Sequence, residues 1–162
     1  MKTKALLDFC DAIDATALSQ TIQSIKWVVP AVQTVHILAI AAVMSSILMI
    51  NLRLLGVSGT DQTIARVSSR FGPVVWWGLP VLLLTGATLI IGEPARSLAN
   101  DFFQLKMFML VCVIVLTVSF QRPLKGNPQY WDGRAGALRL IAIVSLILWT
   151  GIVFAGRWIA YL

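Results

Sequence analysis

Four runs of apolar residues, at about 30–52, 74–91, 102–120 and 138–158, are separated by shorter segments that carry most of the charged, Gly and Pro residues. A helix crosses a bilayer with about 17–25 predominantly apolar residues, and all four runs fall within that range. Hydrocarbon offers no water to satisfy free backbone groups, so such runs must be helical. The pattern predicts an all-α integral membrane four-helix bundle in a single domain covering 1–162.

The ends of the runs carry their own signals. Pro30 suits a first helical turn, where its missing N–H is no loss, and Trp27 before it is an interfacial anchor. Asn51 and Arg53 mark the exit of the first span. Trp76 and Trp77 open the second, and Pro80 predicts a kink within it, which membrane helices tolerate. Asn100 is placed to cap the third span, and GRWIAYL closes the fourth.

Outside the spans, residues 5–26 carry apolar positions at helical spacing with Asp8, Asp11 and Asp14 between them. That pattern predicts one or two amphipathic helices lying at the membrane interface. The run DQTIARVSSRFGP sets Ile64, Val67 and Phe71 on one helical face, with Arg66 and Arg70 free to snorkel, and predicts a separate interfacial connector. QRPLKGNPQYWDGR is expected to be the longest exposed connection.

Composition sharpens the class. Hydrophobic residues make up 58% of the 162-residue chain and charged residues only 12%, where a soluble domain carries about 25% charge. The net charge of +6 is spread thinly around apolar segments, which fits lipid headgroups and argues against a nucleic-acid partner. Cys10 and Cys112 belong to no metal-spaced or redox pattern. The first fourteen residues hold three aspartates where a signal peptide would have its apolar core.

Four spans place both termini on one side. The loops 53–73 and 121–139 hold seven Lys/Arg (53, 66, 70, 122, 125, 134, 139), against six elsewhere (2, 4, 26, 96, 106, 157). By the positive-inside rule this count puts both termini in the periplasm of a bacterial inner membrane. No repeat long enough for an inverted-repeat transporter is present.

Ionisable residues at membrane depth need a reason to be there. His36 lies six residues past Pro30 and Lys106 six past Asn100, each about 9 Å along its helix. Thr85 and Thr88 on the second span, and Trp149, Thr150 and Arg157 on the fourth, are reached from ends on the same membrane face. These residues are therefore expected in one layer, together with Gln33, which shares a helical face with His36 at i, i+3. Asn51, Arg53, Arg70 and Arg139 form a second polar set, expected to anchor helix ends at the opposite face.

A lone imidazole can bond across helices, relay a proton, bind a metal or ligate haem iron. Lys106 and Arg157 can also snorkel to headgroups or pair with Asp101 or Glu93. A tetrahedral zinc site lacks further ligands at suitable spacing. Haem needs only one strong axial ligand, and a bundle core is a usual place for it. A second ligand could come from Met, Lys or another chain's His36. No Ser/His/Asp arrangement, phosphate loop or paired intramembrane carboxylates are present.

The runs WVVPAVQTVHILAIAAVMSSILMINLRLLG and FFQLK, the Thr85–Gly86 pair and the closing GRWIAY resemble an uncharacterised family of four-helix bacterial inner-membrane proteins. That family often has Asp where this chain has Asn51, so a proton-carrying carboxylate is missing here. A more distant resemblance links the His of the first span, the Arg at its far end and the Lys opening the third to the haem-dependent protoporphyrinogen oxidase of bacteria. The copper-resistance D-type membrane proteins have a similar bundle. The likeness implies that His36 is an axial ligand, Lys106 a site residue and Arg53 a supporting one. The enzyme's Trp after the His and Pro before the Arg are absent, so the likeness implies haem binding rather than the same reaction.

The expected function is binding of haem b through His36, with Gln33, Lys106, Thr85 and Arg53 around it, for electron transfer or porphyrin-linked redox chemistry. The alternative is a non-enzymatic small transporter or channel, or an accessory subunit that binds lipid or quinone. Membrane lipids, a homo-oligomer and a larger membrane complex are the expected partners.

Overall fold

The computed structural model describes residues 4–159. It is all-helical among those residues: α1 (Lys4–Asp14), α2 (Ala17–Ser24), α3 (Val28–Leu55), α4 (Ile64–Gly92), α5 (Pro94–Leu98), α6 (Asp101–Gly126) and α7 (Ala135–Trp158). Four of these, α3, α4, α6 and α7, are long and apolar enough to cross a membrane. The 29 residues of α4 reach about 43 Å at 1.5 Å per residue, well beyond a 30 Å hydrocarbon layer.

Local chemistry sets the helix ends. The Asn100 side chain accepts a hydrogen bond from Phe102 N–H at 2.9 Å, so the expected cap of α6 is present. Thr63 caps α4 in the same way, accepting from Arg66 N–H at 3.2 Å. Gly56 ends α3 in the left-handed region at φ 74°, where a residue without Cβ pays no steric penalty.

The expected connector over 64–71 is not a separate element. α4 starts at Ile64 and runs unbroken through Pro73 and Pro80. Its first turns are amphipathic but packed: Val67 and Ser68 are buried, and Val67 joins a core with Leu54, Phe120, Leu124, Leu138 and Ala142. Tertiary burial therefore carries the helix into the span instead of breaking it at Gly72–Pro73. Similarly, α6 continues to Gly126, which shortens the loop after it. That loop folds back, with Trp131 stacked on Phe120 at 5.9 Å and its indole N–H donating to Phe120 O at 3.1 Å.

Helix α3 packs mainly on α4 and also on α7, while α7 packs mainly on α6. Side chains close the ring between α4 and α6, where Trp76 Nε1–H donates to Gln121 Oε1 at 2.6 Å. A second buried cluster holds Val43, Ile47, Val75, Val113, Trp149 and Ile152 at mid-bundle. Much of the outer surface is apolar, including Leu38, Leu83, Phe108 and Leu140, as a lipid-facing surface requires.

The two N-terminal helices are docked against one end of this bundle. Ser19 Oγ donates to Ile91 O at 2.6 Å and Gln23 Nε2 donates to Gly92 O at 3.0 Å, so α2 satisfies the last carbonyls of α4. Cys10 and Ser19 are fully buried there. Between this cap, the start of α3 and the α4–α5 turn lies a groove of about 660 Å³, lined by Cys10, Asp11, Lys26, Val29, Gly92 and Glu93 among others.

Candidate functional site

The inward seam of α3 passes through Val43 and Ile50, both buried. His36 lies seven residues before Val43, two turns away, so it belongs to the same seam. Lys106 stands in the same relation to the fully buried Val113 on α6. Both side chains are half-buried, because the bundle is less tightly enclosed at this end than at mid-height.

His36 Nδ1 lies 2.7 Å from Thr85 Oγ1 on α4. The Thr85 hydroxyl has one proton, and its oxygen sits 2.6 Å from Val81 O, one turn back on the same helix. Two oxygens that close require the hydroxyl proton between them, so Thr85 donates to Val81 O and accepts from His36. Nδ1 therefore carries a proton, and in the neutral ring Nε2 keeps its lone pair. Among the described residues Nε2 has no hydrogen-bond partner.

Glycines make room on both sides of this layer. A Cβ on Gly86 would lie 3.6 Å from His36 Cε1, so α4 meets the ring edge with bare backbone. A Cβ on Gly156 would lie 3.5 Å from Lys106 Nζ, which sets the ammonium against a bare stretch of α7. Among the described residues no carboxylate pairs with Lys106.

Three of the five residues expected at the site, His36, Thr85 and Lys106, are partly buried at this end of the bundle. Gln33 does not join them. It is exposed, because the 60° offset of an i, i+3 pair turns it off the seam at the start of α3. Arg53 is at the opposite end, seventeen residues and about 25 Å further along α3. There its Nε–H donates to Gln62 O at 2.7 Å and pins the α3–α4 loop.

The wider layer also divides. Thr88 turns its hydroxyl back to Leu84 O at 2.9 Å, and Thr150 is exposed. Trp149 packs with Val43 and Val113, two turns below His36 and Lys106. Its indole N–H is buried with no acceptor among the described residues. Asn51, expected at a helix end, is instead buried at 3% exposure and donates to Ser145 Oγ at 3.2 Å. Its spacing could have shown this, since it sits four residues after Ile47 and three before Leu54 on the buried face.

The donor chemistry of this layer fits a haem in part. A neutral imidazole with Nδ1–H held and Nε2 free is the form that ligates iron, and an unpaired ammonium suits a carboxylate substituent. Met109 is turned away as a second axial ligand: its Sδ is packed toward Gly151 on α7, within 2.9 Å of where a Cβ would stand. Neither the groove under the N-terminal cap nor a small recess near Asn51 includes His36. With the His36 side chain only half-buried, a ligand would reach Nε2 at the rim of the bundle. The groove lies on this same face, since Val29 and Gly92 are each seven residues from His36 and Thr85, about 10 Å beyond them.

Among the described residues no group of three or more His, Cys, Asp or Glu is placed to hold a metal ion. The chain belongs to a family of unknown function, DUF6644, whose model matches residues 18–162. Comparison with curated proteins gives no match, and comparison with solved structures gives none either.

Proposed function

We propose that this member of the family is a multi-pass inner-membrane protein that binds haem b through His36 Nε2, for electron transfer or porphyrin-linked redox chemistry. The observation that carries the reading is the His36–Thr85–Val81 chain of hydrogen bonds. Ligating histidines commonly donate their other ring N–H to a fixed oxygen, which sets the tautomer and orients the ring. Thr85 supplies that oxygen, and the Val81 carbonyl fixes Thr85.

In this reading Lys106 takes an anionic carboxylate of the porphyrin, and Gly156 leaves the space its head occupies. Gly86 allows a flat ring to approach α4 without meeting a side chain at that position. A bound haem would supply one-electron chemistry at its iron. The protein's part is to hold the imidazole neutral and oriented, to compensate the carboxylate charge, and to keep the group at the rim near one membrane face. The Lys/Arg count puts that face on the periplasmic side.

The test is a titration of haem into the purified apoprotein, followed by absorbance. Saturable binding with an imidazole-ligated spectrum supports the reading when His36→Ala abolishes it. Binding that is equal in His36→Ala would place the haem elsewhere.

A second reading rests on the Lys106 ammonium and the Trp149 N–H, which have no acceptor among the described residues. An accessory subunit that binds quinone or anionic lipid would use both groups as donors. It predicts that a quinone or lipid co-purifies with the haem-free chain and is lost in Lys106→Met.

A further inference from the structure

Away from the His36 layer, the bundle contains a second buried polar set that the reading above does not use. Asn51 on α3 and Ser145 on α7 are 3% and 7% exposed, and Asn51 Nδ2 donates to Ser145 Oγ at 3.2 Å. That single bond leaves much capacity unused. Asn51 has a second N–H and a carbonyl oxygen with no partner among the described residues.

Ser145 lacks the backbone acceptor that several hydroxyls of the spans use. Ser45, Ser46, Thr85, Thr88 and Thr117 all donate to the carbonyl four residues back. Among the described residues the Ser145 proton has no acceptor. Thr117, whose proton goes to Val113 O at 2.7 Å, keeps free lone pairs.

These three residues line a common small recess of about 20 Å³, partly open at one side, which also touches Gln121. A cavity needs about 10–15 Å³ on this measure to hold one water, and the water needs two to four polar partners. Unsatisfied groups in a low-dielectric interior are costly, so a recess of that size with that lining is expected to fill. The lining holds no carboxylate, which argues against a cation, and it is too small for an organic ligand.

We propose that Asn51, Ser145 and Thr117 form a buried hydration site that holds one water molecule within the membrane-spanning bundle. The water accepts from Ser145 or the second Asn51 N–H, and donates to Asn51 Oδ1 or Thr117 Oγ1. It completes the link between α3 and α7 and brings α6 into the same network. The site is independent of haem binding.

The test is proton-detected solid-state NMR on the full chain in lipid bilayers, reading transfer of magnetisation from water to the Asn51 side-chain amide. Transfer to that amide is the expected result in the wild-type chain. Its absence in a folded wild-type sample overturns the proposal. Ser145→Ala removes one partner and keeps the reporting amide, so the transfer is expected to weaken. Unchanged transfer in that variant would remove Ser145 from the site. The wild-type measurement decides the main point even where a variant fails to fold.

Discussion

His36 Nδ1 and Thr85 Oγ1 meet at 2.7 Å across two helices whose mid-bundle contact is apolar. Because the Thr85 proton is committed to Val81 O at 2.6 Å, the pair fixes which imidazole nitrogen is free. That one geometric constraint turns a lone intramembrane histidine into an oriented imidazole. It also makes Thr85 separable from the packing around it.

Thr85→Val keeps the volume and removes the oxygen. The variant is expected to fold like the wild type and to bind haem about 10–100-fold more weakly, as loss of the partner of a ligating histidine does in other sites. Thr85→Ser should restore most of the affinity. Absorbance titrations of the three proteins measure this, and equal affinities would dissociate Thr85 from the ligand's orientation.

Lys106→Met tests the carboxylate partner. A charge-assisted hydrogen bond contributes about 1.5–3 kcal/mol, so haem affinity should fall about tenfold or more. With haem dimethyl ester, which lacks the anionic groups, wild type and variant should bind alike. A loss of the same size with the ester would mean that Lys106 acts through packing.

α3 and α4 pack closely at Gly78, where an added methyl would overlap the fully buried Val43. Val is stiff at χ1 and cannot swing aside, so Gly78→Ala should destabilise the bundle by about 1–3 kcal/mol. Gly151→Ala meets the flexible Met109 thioether instead and should lose less. Thermal unfolding in detergent compares them. Equal losses would contradict the packing described.

Arg53→Gln removes the bond to Gln62 O that pins the α3–α4 loop. Faster hydrogen exchange over residues 56–63 is expected, with haem affinity unchanged. A drop in affinity would return Arg53 to the site despite its place at the far end of α3.

Much of this architecture was legible in the sequence because hydrocarbon forces its backbone into helices. The four spans and the Asn100 cap follow from apolar length and capping chemistry alone. Depth was also readable, since rise per residue is fixed, and it placed His36 and Lys106 near one face. Azimuth was not. Gln33 has suitable depth but turns outward, while Trp149, expected in the same layer, packs two turns lower with Val43 and Val113. The unbroken α4 was hidden because Gly72–Pro73 reads as a boundary locally, and only the packing of Val67 against Leu54 and Phe120 overrides it. Asn51 looked like an anchor because a polar residue near a span's end usually is one. Its pairing with Ser145 is a tertiary fact, ninety-four residues away along the chain.

The most direct measurement of the central claim is the haem content of wild type and His36→Ala, purified side by side from haem-replete cells. The account predicts stoichiometric haem with a Soret band in the wild type and none in the variant. A colourless wild type, or equal haem in both proteins, would contradict it.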